Sequence, residues 1–221
     1  MIKKINGIIF DLDGVLTDTS RYHYLAWKHI AHDMGVYFNG VINERLKGVD
    51  RTTSLEIILE RSAIEYTIEE KRKIADTKNE YYLKLIDGIS QSDLYPGVNE
   101  LLEEIKAKEI KAALGSASKN ALIIIKKLGI EQYFDGIVDA NLINKGKPDP
   151  EIFITAADMI GLKYEECAVI EDSAAGIKAA KSAGMIAVGI GKKKYLSDAD
   201  IIYPEIKDMK LYDIECHMLI T

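Results

Sequence analysis

Two carboxylates follow the first apolar run of the chain, in the string Ile8-Ile9-Phe10-Asp11-Leu12-Asp13-Gly14. Alternate residues of a strand face the same side, so Asp11 and Asp13 are expected to leave the strand together. One carboxylate could attack a phosphorus atom while the other serves as general acid and base for the oxygen that leaves or arrives. The alternative is that the two aspartates only cap a turn, which Gly14 allows to be tight.

A serine follows another apolar run. Residues Ile110–Leu114 lead through Gly115 into Ser116. The Ser116 hydroxyl and the neighbouring backbone amides, at the start of a predicted helix, could hold a phosphate group. The same serine could cap that helix, and the two roles are compatible.

A lysine and an acidic pair complete this set of polar residues. Lys147 precedes Pro148, which favours an extended backbone at the lysine. An ammonium held near Asp11 would neutralise charge on a transferring phosphoryl group. Glu171 and Asp172 follow a further apolar run, and their oxygens suit Mg²⁺. An acidic pair also stabilises a helix N-terminus, which is the alternative reading of these two residues.

Short apolar runs alternate with helical patterns along most of the chain. The runs predict strands at 8–10, 110–114, 136–138, 168–170 and 186–190. Amphipathic spacing predicts helices at 98–108, 120–128, 151–160 and 175–183. This alternation predicts an α/β fold with a doubly wound, Rossmann-like parallel sheet covered by helices on both faces. Gly129, Gly161 and Gly184 follow helical patterns, where a left-handed helix end favours glycine.

One segment interrupts the alternation. From about Thr17 to Gln91 the pattern is helical, without a convincing strand. The predicted helices there span residues 19–34, 52–62 and 68–86. We therefore predict a helical cap domain at 17–91 and an α/β core domain formed by 1–16 and 92–221. The two connections between them would act as a hinge that includes Thr19.

Bulk composition narrows the class of protein. Hydrophobic residues at 48% and charged residues at 29% indicate a packed core rather than disorder. The net charge of -6 argues against general nucleic-acid binding, although a phosphate substrate needs only a few local cations and amide donors. Two cysteines are too few for a disulfide framework, so we predict a cytoplasmic protein. No stretch approaches the roughly 20 apolar residues of a membrane span.

Four strings resemble, in chain order, the motifs of the haloacid dehalogenase superfamily of phosphatases and phosphomutases. They are FDLDGVLTDT, the serine after the second strand, GKPDP and VIEDSAAG. The resemblance implies that Asp11 is the nucleophile and is phosphorylated, that Asp13 is the general acid and base, and that Ser116 and Lys147 assist. The implied Mg²⁺ ligands are the side chains of Asp11 and Asp172 and the backbone carbonyl of Asp13, with Glu171 close by.

The helical segment resembles one family within the superfamily, the β-phosphoglucomutases. Thr17–His23 and Trp27 are similar to that family's hinge and first cap helix. The string LKGVDR at 46–51 is similar to its substrate loop, with Asp50 where a serine is expected. The implied substrate-binding residues are His23, Lys47, Gly48, Arg51 and Lys78 in the cap and Ser116, Ala117, Ser118, Lys119 and Asn120 in the core.

The resemblance also implies a reaction. Transfer from phosphorylated Asp11 would convert β-D-glucose 1-phosphate into β-glucose 1,6-bisphosphate. The bisphosphate would then reorient, return its 1-phosphate to Asp11 and leave as glucose 6-phosphate. The bisphosphate would also prime the enzyme. A second phosphate site is needed for this reorientation, and Arg51 offers a planar fork for it. Cap closure would exclude water, and His23 could couple closure to catalysis by a hydrogen bond to Asp13.

Two other functions share the core motifs. A sugar-phosphate or phosphoglycolate-type phosphatase is the runner-up, and His23, Lys47 and Arg51 favour the mutase over it. A non-catalytic binding protein on this fold is expected to lack a core carboxylate or Lys147, and none is missing. We predict a small sugar-phosphate substrate, no nucleic-acid or membrane partner, and a monomer.

Overall fold

The chain folds as two compact units. The computed structural model describes residues 4–46 and 49–220, the last two as backbone only. One unit combines Met1–Asp18 with Ser90–Thr221, and the other is Thr19–Ile89. Within the described ranges, no helix is long and apolar enough to cross a membrane.

The first unit is built on a parallel sheet of six strands among the described residues. They are β1 (Gly7–Phe10), β2 (Lys111–Gly115), β3 (Gly136–Val138), β4 (Cys167–Glu171), β5 (Ile186–Ile190) and β6 (Ile201–Tyr203). Their order in the sheet is β3-β2-β1-β4-β5-β6, and every neighbouring pair is parallel. β1 and β4 are buried along their whole length, which a parallel sheet covered on both faces requires. The predicted α/β fold class is confirmed.

Nine α-helices lie in the part of the chain that the structure describes. The second unit contains α1 (Ser20–Asp33), α2 (Gly40–Glu44), α3 (Arg51–Leu59) and α4 (Ile68–Leu85). The first unit contains α5 (Val98–Ala107), α6 (Ala121–Lys127), α7 (Glu151–Met159), α8 (Ala174–Ser182) and α9 (Leu211–Ile220). All seven predicted helices form, with ends shifted by up to three residues. Gly129, Gly161 and Gly184 follow α6, α7 and α8 with φ of 69°, 68° and 75°, as predicted.

Three elements were not predicted, and each gives a weak local signal. β6 has only three residues, all half-buried, at the edge of the sheet. α2 has five residues, too few to show a helical period. α9 has the sequence LYDIECHMLI. Leu211, Ile214 and Met218 form its buried stripe, but other apolar residues such as Tyr212 lie off that stripe and obscure the pattern.

The helical unit has a core of its own. Trp27, Leu55 and Ile58 are buried there and pack together with apolar side chains of α1, α2 and α3. Thr67 begins α4 with a reciprocal pair of hydrogen bonds to Glu70, a capping box. Because this unit buries its own apolar residues, its helices are held by packing rather than by helix propensity alone.

Candidate active site

The acidic residues meet where the strand order reverses. From β1 the chain first adds β2 and β3 on one side of the sheet. It then crosses over to add β4, which is the neighbour of β1 on the other side. Phe10 lies level with Ile170 in this pairing, and the backbone N–H of Asp11 donates to the carbonyl of Ile170 at 2.9 Å. Asp11 and Glu171 therefore stand side by side at the carboxyl ends of two parallel strands, the usual ligand site of such sheets.

Lys147 connects these two carboxylates. Its Nζ lies 2.5 Å from Oδ1 of Asp11 and 3.4 Å from Oε2 of Glu171. The side chains are 3%, 9% and 2% exposed, for Lys147, Asp11 and Glu171. Burial alone lowers the pKa of a lysine, but the charges of Asp11 and Glu171 outweigh it and raise the pKa of Lys147 above its ordinary value. The lysine therefore stays charged beside Asp11.

Three carboxylates converge at this point. One oxygen from each of Asp11, Glu171 and Asp172 lies within 4.8 Å of the others. Desolvation and the neighbouring negative charges raise the pKa values of Glu171 and Asp172 above the ordinary range of carboxyl groups. Such a cluster carries all its charges readily only with a cation among them, and hard oxygen ligands suit Mg²⁺. The donor set fits the predicted magnesium ion, while the role of the Asp13 carbonyl stays a prediction.

The turn after β1 leaves no room for a side chain. Gly14 has a φ of 86°, and a Cβ built on it would lie 1.9 Å from Oδ2 of Asp172. Its N–H donates to the carbonyl of Thr17 at 2.8 Å. The glycine of the DxDG string therefore serves both the left-handed backbone and the close approach of Asp172.

The serine loop after β2 is held by its own hydroxyls. Ser116 is buried, and its Oγ accepts a hydrogen bond from the N–H of Ser118 at 3.1 Å. Oγ of Ser118 accepts in turn from the N–H of Asn120 at 3.3 Å. Asn120, rather than Ser116, is the residue that precedes α6. The Ser116 hydroxyl thus closes the loop 116–120 instead of capping the helix, and Ala117 and Lys119 lie within that loop.

In the helical unit, His23 and Lys78 are bonded to each other. Nζ of Lys78 lies 2.8 Å from Nδ1 of His23, whose ring stacks on Tyr82 with centroids 4.1 Å apart. Burial, then the positive charges of Lys78 and Arg51, hold the pKa of His23 well below its ordinary value. His23 is therefore neutral, with Nδ1 as the acceptor and the proton on Nε2. The Tyr82 hydroxyl donates to Oγ1 of Thr19 at 3.2 Å.

Arg51 has a side-chain partner in α4 and a backbone position set by the cap of α3. Its Nη2 donates to Oδ1 of Asn79 at 2.8 Å. Asp50 caps α3 by accepting the N–H groups of Thr52 and Thr53 at 2.8 and 3.0 Å, which places Arg51 at the first position of that helix. The unexpected aspartate at position 50 is thus a helix cap, a role that serine also fills. The predicted Lys47 and Gly48 lie outside the described residues.

Four residues at these sites were not predicted: Asn79, Tyr82, Ser173 and Gly176. Asn79 lies 28 positions from Arg51 and carries no local signal of the contact. Ser173 donates its hydroxyl to Glu171, and a Cβ on Gly176 would collide with the same carboxylate. The signal for these two was present in the string EDSAAG, where the spacing of serine and glycine matches the first turn of a helix.

Comparisons with known proteins agree with this arrangement. The model of the haloacid dehalogenase-like hydrolases matches residues 5–184. The chain belongs to this family. It is 46% identical over 209 residues to a β-phosphoglucomutase of Bacillus subtilis, covering 94% of this chain and 92% of that protein. The crystal structure of a β-phosphoglucomutase from Clostridium difficile superposes with a TM-score of 0.93 at 42% identity, covering 97% of both chains.

A phosphatase is also among the relatives. The phosphorylated carbohydrates phosphatase of Thermotoga maritima is 34% identical over 184 residues, which is 82% of each chain. The resemblance drawn from the sequence motifs is confirmed at both levels, the superfamily and the β-phosphoglucomutases within it.

Proposed function

We propose that this protein is a β-phosphoglucomutase, a phosphomutase that interconverts β-D-glucose 1-phosphate and glucose 6-phosphate. The buried contact between Lys147 and Asp11 beside Glu171 and Asp172 carries the proposal. It provides a carboxylate, a fixed ammonium and a cation site at one point. The 46% identity to the Bacillus subtilis β-phosphoglucomutase supports a sugar phosphate as the substrate of this phosphoryl transfer.

Asp11 acts as the nucleophile. Lys147 keeps its own positive charge in the buried pair, and this charge offsets the negative charge that builds up on the phosphoryl group. The oxygen of Asp11 attacks phosphorus and the bond to the sugar oxygen breaks, which leaves an aspartyl-phosphate and a sugar hydroxyl. In the reverse half-reaction a sugar hydroxyl attacks the aspartyl-phosphate and Asp11 is freed.

Asp13 moves the proton in both half-reactions. It lies two residues beyond Asp11 and is half-buried, in a turn where residues 13 and 17 form a β-bridge. As a general acid it protonates the departing sugar oxygen, and as a general base it removes the proton from the attacking hydroxyl. The bisphosphate intermediate, β-glucose 1,6-bisphosphate, is also the priming donor in this proposal.

Mg²⁺ would be held by the side chains of Asp11, Glu171 and Asp172 with the carbonyl of Asp13. When bound, it supplies positive charge that stabilises the phosphoryl oxygens. Phosphate groups of the substrate would be bound by the arginine fork of Arg51. The further phosphate-binding residues are those of the loop after β2, namely Ser116, Ala117, Ser118, Lys119 and Asn120. Lys47, Gly48 and Lys78 are the proposed sugar-side residues. His23 is the proposed substrate-binding residue that couples closure to catalysis, and Thr19 is the proposed hinge.

One assay separates the mutase from the phosphatase. Purified protein is given β-D-glucose 1-phosphate, Mg²⁺ and a trace of glucose 1,6-bisphosphate, and both glucose 6-phosphate and free phosphate are measured. We expect glucose 6-phosphate in large excess, with a lag when the bisphosphate is omitted. Stoichiometric release of phosphate would instead assign the protein to the phosphatases, the function of its Thermotoga maritima relative.

Two coarser properties complete the proposal. We infer a cytoplasmic location, since two cysteines offer no disulfide framework and Cys167 is buried. We also infer a monomer, because residues Asp11, Lys147, Glu171 and Asp172 come from one chain. Sedimentation at micromolar concentration tests the second inference, and a dimer would contradict it.

A further inference from the structure

Ser173 lies between the acidic cluster and the helix that follows it. Its Oγ donates to Oε1 of Glu171 at 2.7 Å and accepts from the N–H of Gly176 at 3.0 Å. Its own backbone N–H points to the same oxygen of Glu171 at 3.3 Å. One hydroxyl therefore both caps α8 and holds a buried carboxylate.

Gly176 provides the space that this carboxylate occupies. A Cβ on Gly176 would lie 2.1 Å from Cδ and 2.3 Å from Oε2 of Glu171, distances that require the carboxylate to move. Glycine inside a helix costs stability relative to alanine. Its backbone in α8 does not require a positive φ. The close approach of Glu171 explains why a glycine stands there.

The other oxygen of Glu171 faces the lysine of the site. Oε2 lies 3.4 Å from Nζ of Lys147, which lies 2.5 Å from Oδ1 of Asp11. Glu171 and Lys147 are almost fully buried, so water cannot take over a hydrogen bond that is lost. A displacement of the Glu171 carboxylate must therefore be transmitted to Lys147.

We propose that Ser173 and Gly176 are positioning residues for phosphoryl transfer at Asp11. Together they fix Glu171 with one oxygen bonded to the start of α8 and the other facing Lys147. This inference rests on the proposed role of Asp11 as nucleophile. Neither residue touches the reacting atoms in this proposal, because both act through Glu171.

The test compares Ser173→Ala with the conservative Ser173→Thr and a control helix variant, Lys178→Gly. Lys178 is exposed in the middle of α8, so its replacement weakens the helix without touching Glu171. Magnesium affinity is measured by calorimetry on the full chain without substrate, and turnover by the glucose 6-phosphate assay and by hydrolysis of p-nitrophenyl phosphate.

We expect Ser173→Ala to weaken magnesium binding and lower kcat by about 10-fold or more, with little change in the KM for the sugar phosphate. Ser173→Thr should recover most of the magnesium affinity and most of kcat, since a threonine hydroxyl can also cap α8 and donate to Glu171. Gly176→Ala should reproduce the defect, although alanine favours the helix. Lys178→Gly should lower thermal stability but keep magnesium affinity and kcat.

Several results would overturn the proposal. Wild-type magnesium affinity and kcat in Ser173→Ala would do so, as would an equal defect in Lys178→Gly. Failure of the mutase assignment is distinguishable from these. If the wild-type protein makes no glucose 6-phosphate, but its magnesium binding and p-nitrophenyl phosphate hydrolysis still depend on Ser173, the positioning role stands and only the substrate is wrong.

Discussion

At the scale of single residues, the site depends on charges that are buried together. Lys147 contacts Asp11 and Glu171 in a place that water scarcely reaches. Removing one partner of such a group leaves an uncompensated buried charge, which costs far more than an exposed pair would contribute. The same burial keeps the ammonium fixed relative to Asp11, and fixed charges are what transition-state stabilisation requires.

The proton-transfer role of Asp13 can be tested directly. We expect Asp13→Asn to abolish turnover while the fold remains intact, since an amide of similar size cannot accept and return a proton. Circular dichroism and thermal unfolding serve as the check on folding. Asp208→Asn, at an exposed carboxylate to which no role in the site is assigned, is the matched control and should retain turnover. Full activity in Asp13→Asn would contradict the assignment.

The contact between Asn79 and Arg51 gives a second residue-scale prediction. Asn79→Ala removes the acceptor that orients Nη2 of Arg51. A hydrogen bond to a charged group is worth roughly 1.5 kcal/mol, so we expect the KM for β-D-glucose 1-phosphate to rise about tenfold. The effect on kcat should be smaller.

Two variants control the Asn79 experiment. Asn79→Asp keeps an acceptor at the same place and should change KM less than Asn79→Ala. Thr77→Ala alters an exposed position of α4 and should leave KM unchanged. An Asn79→Ala enzyme with the wild-type KM would show that Arg51 does not need this partner.

At the scale of elements, α5, α6, α7 and α8 each end on a residue in the left-handed conformation, and in one of the four that residue is not glycine. Gly129, Gly161 and Gly184 adopt positive φ after α6, α7 and α8. Glu109 ends α5 in the same way with a φ of 55°, and the N–H of Ile110 donates to Ile105, as in a Schellman motif. Glu109 is exposed, so no buried contact of its side chain compensates the left-handed backbone.

Glycine at position 109 should therefore stabilise the protein. A left-handed conformation costs a residue with a Cβ about 1 kcal/mol or somewhat more. We expect Glu109→Gly to have a higher free energy of unfolding than Glu109→Ala by roughly 1 kcal/mol, measured by urea denaturation. The alanine variant removes the same charge, so the difference isolates the backbone. Equal stabilities would mean that the left-handed end of α5 carries no strain.

At the scale of the whole molecule, the two units differ in the kind of core that stabilises each of them. The α/β unit has a buried sheet between helices. The helical unit has a smaller core that includes Trp27, the single tryptophan of the chain. Trp27 fluorescence therefore reports unfolding of the helical unit, which also contains the neutral histidine His23.

The histidine predicts how the helical unit responds to acid. The pKa of His23 in the folded protein is well below 6.5, so the unfolded state binds more protons in that window. The part of the free energy of unfolding that the neutral His23 contributes is fully present above pH 6.5. It is lost as the pH falls from 6.5 towards the pKa of His23 in the folded protein. We expect the denaturation midpoint followed by Trp27 fluorescence to fall over this range.

Two histidine variants make the acid prediction specific. His23→Gln should reduce the proton uptake on unfolding by up to one proton. The pH dependence of the denaturation midpoint should therefore become flatter. His32→Gln changes a histidine on the same helix whose side chain is 88% exposed, and it should leave the dependence as it is. If the denaturation midpoint depended on pH equally in wild type and His23→Gln, His23 would not be the cause of the acid sensitivity.

The amino-acid sequence by itself determined the fold class, most elements and the reacting groups. Apolar runs and helical spacing are local properties of the chain, and they place five of the six described strands and seven of the nine described helices. The order of the carboxylates, Ser116 and Lys147 along the chain identified the superfamily. β6 and α2 were not predicted, because three or five residues do not establish a period.

Only the tertiary structure decided which of these groups touch. The contacts of Lys147 with Asp11 and Glu171 span 136 and 24 residues, and Asn79 lies 28 residues from Arg51. A pattern along the chain reports the burial of each residue, whereas a contact depends on how the elements pack. The functions of Ser173 and Gly176 belong to this second kind, since they follow from the space that α8 leaves for Glu171.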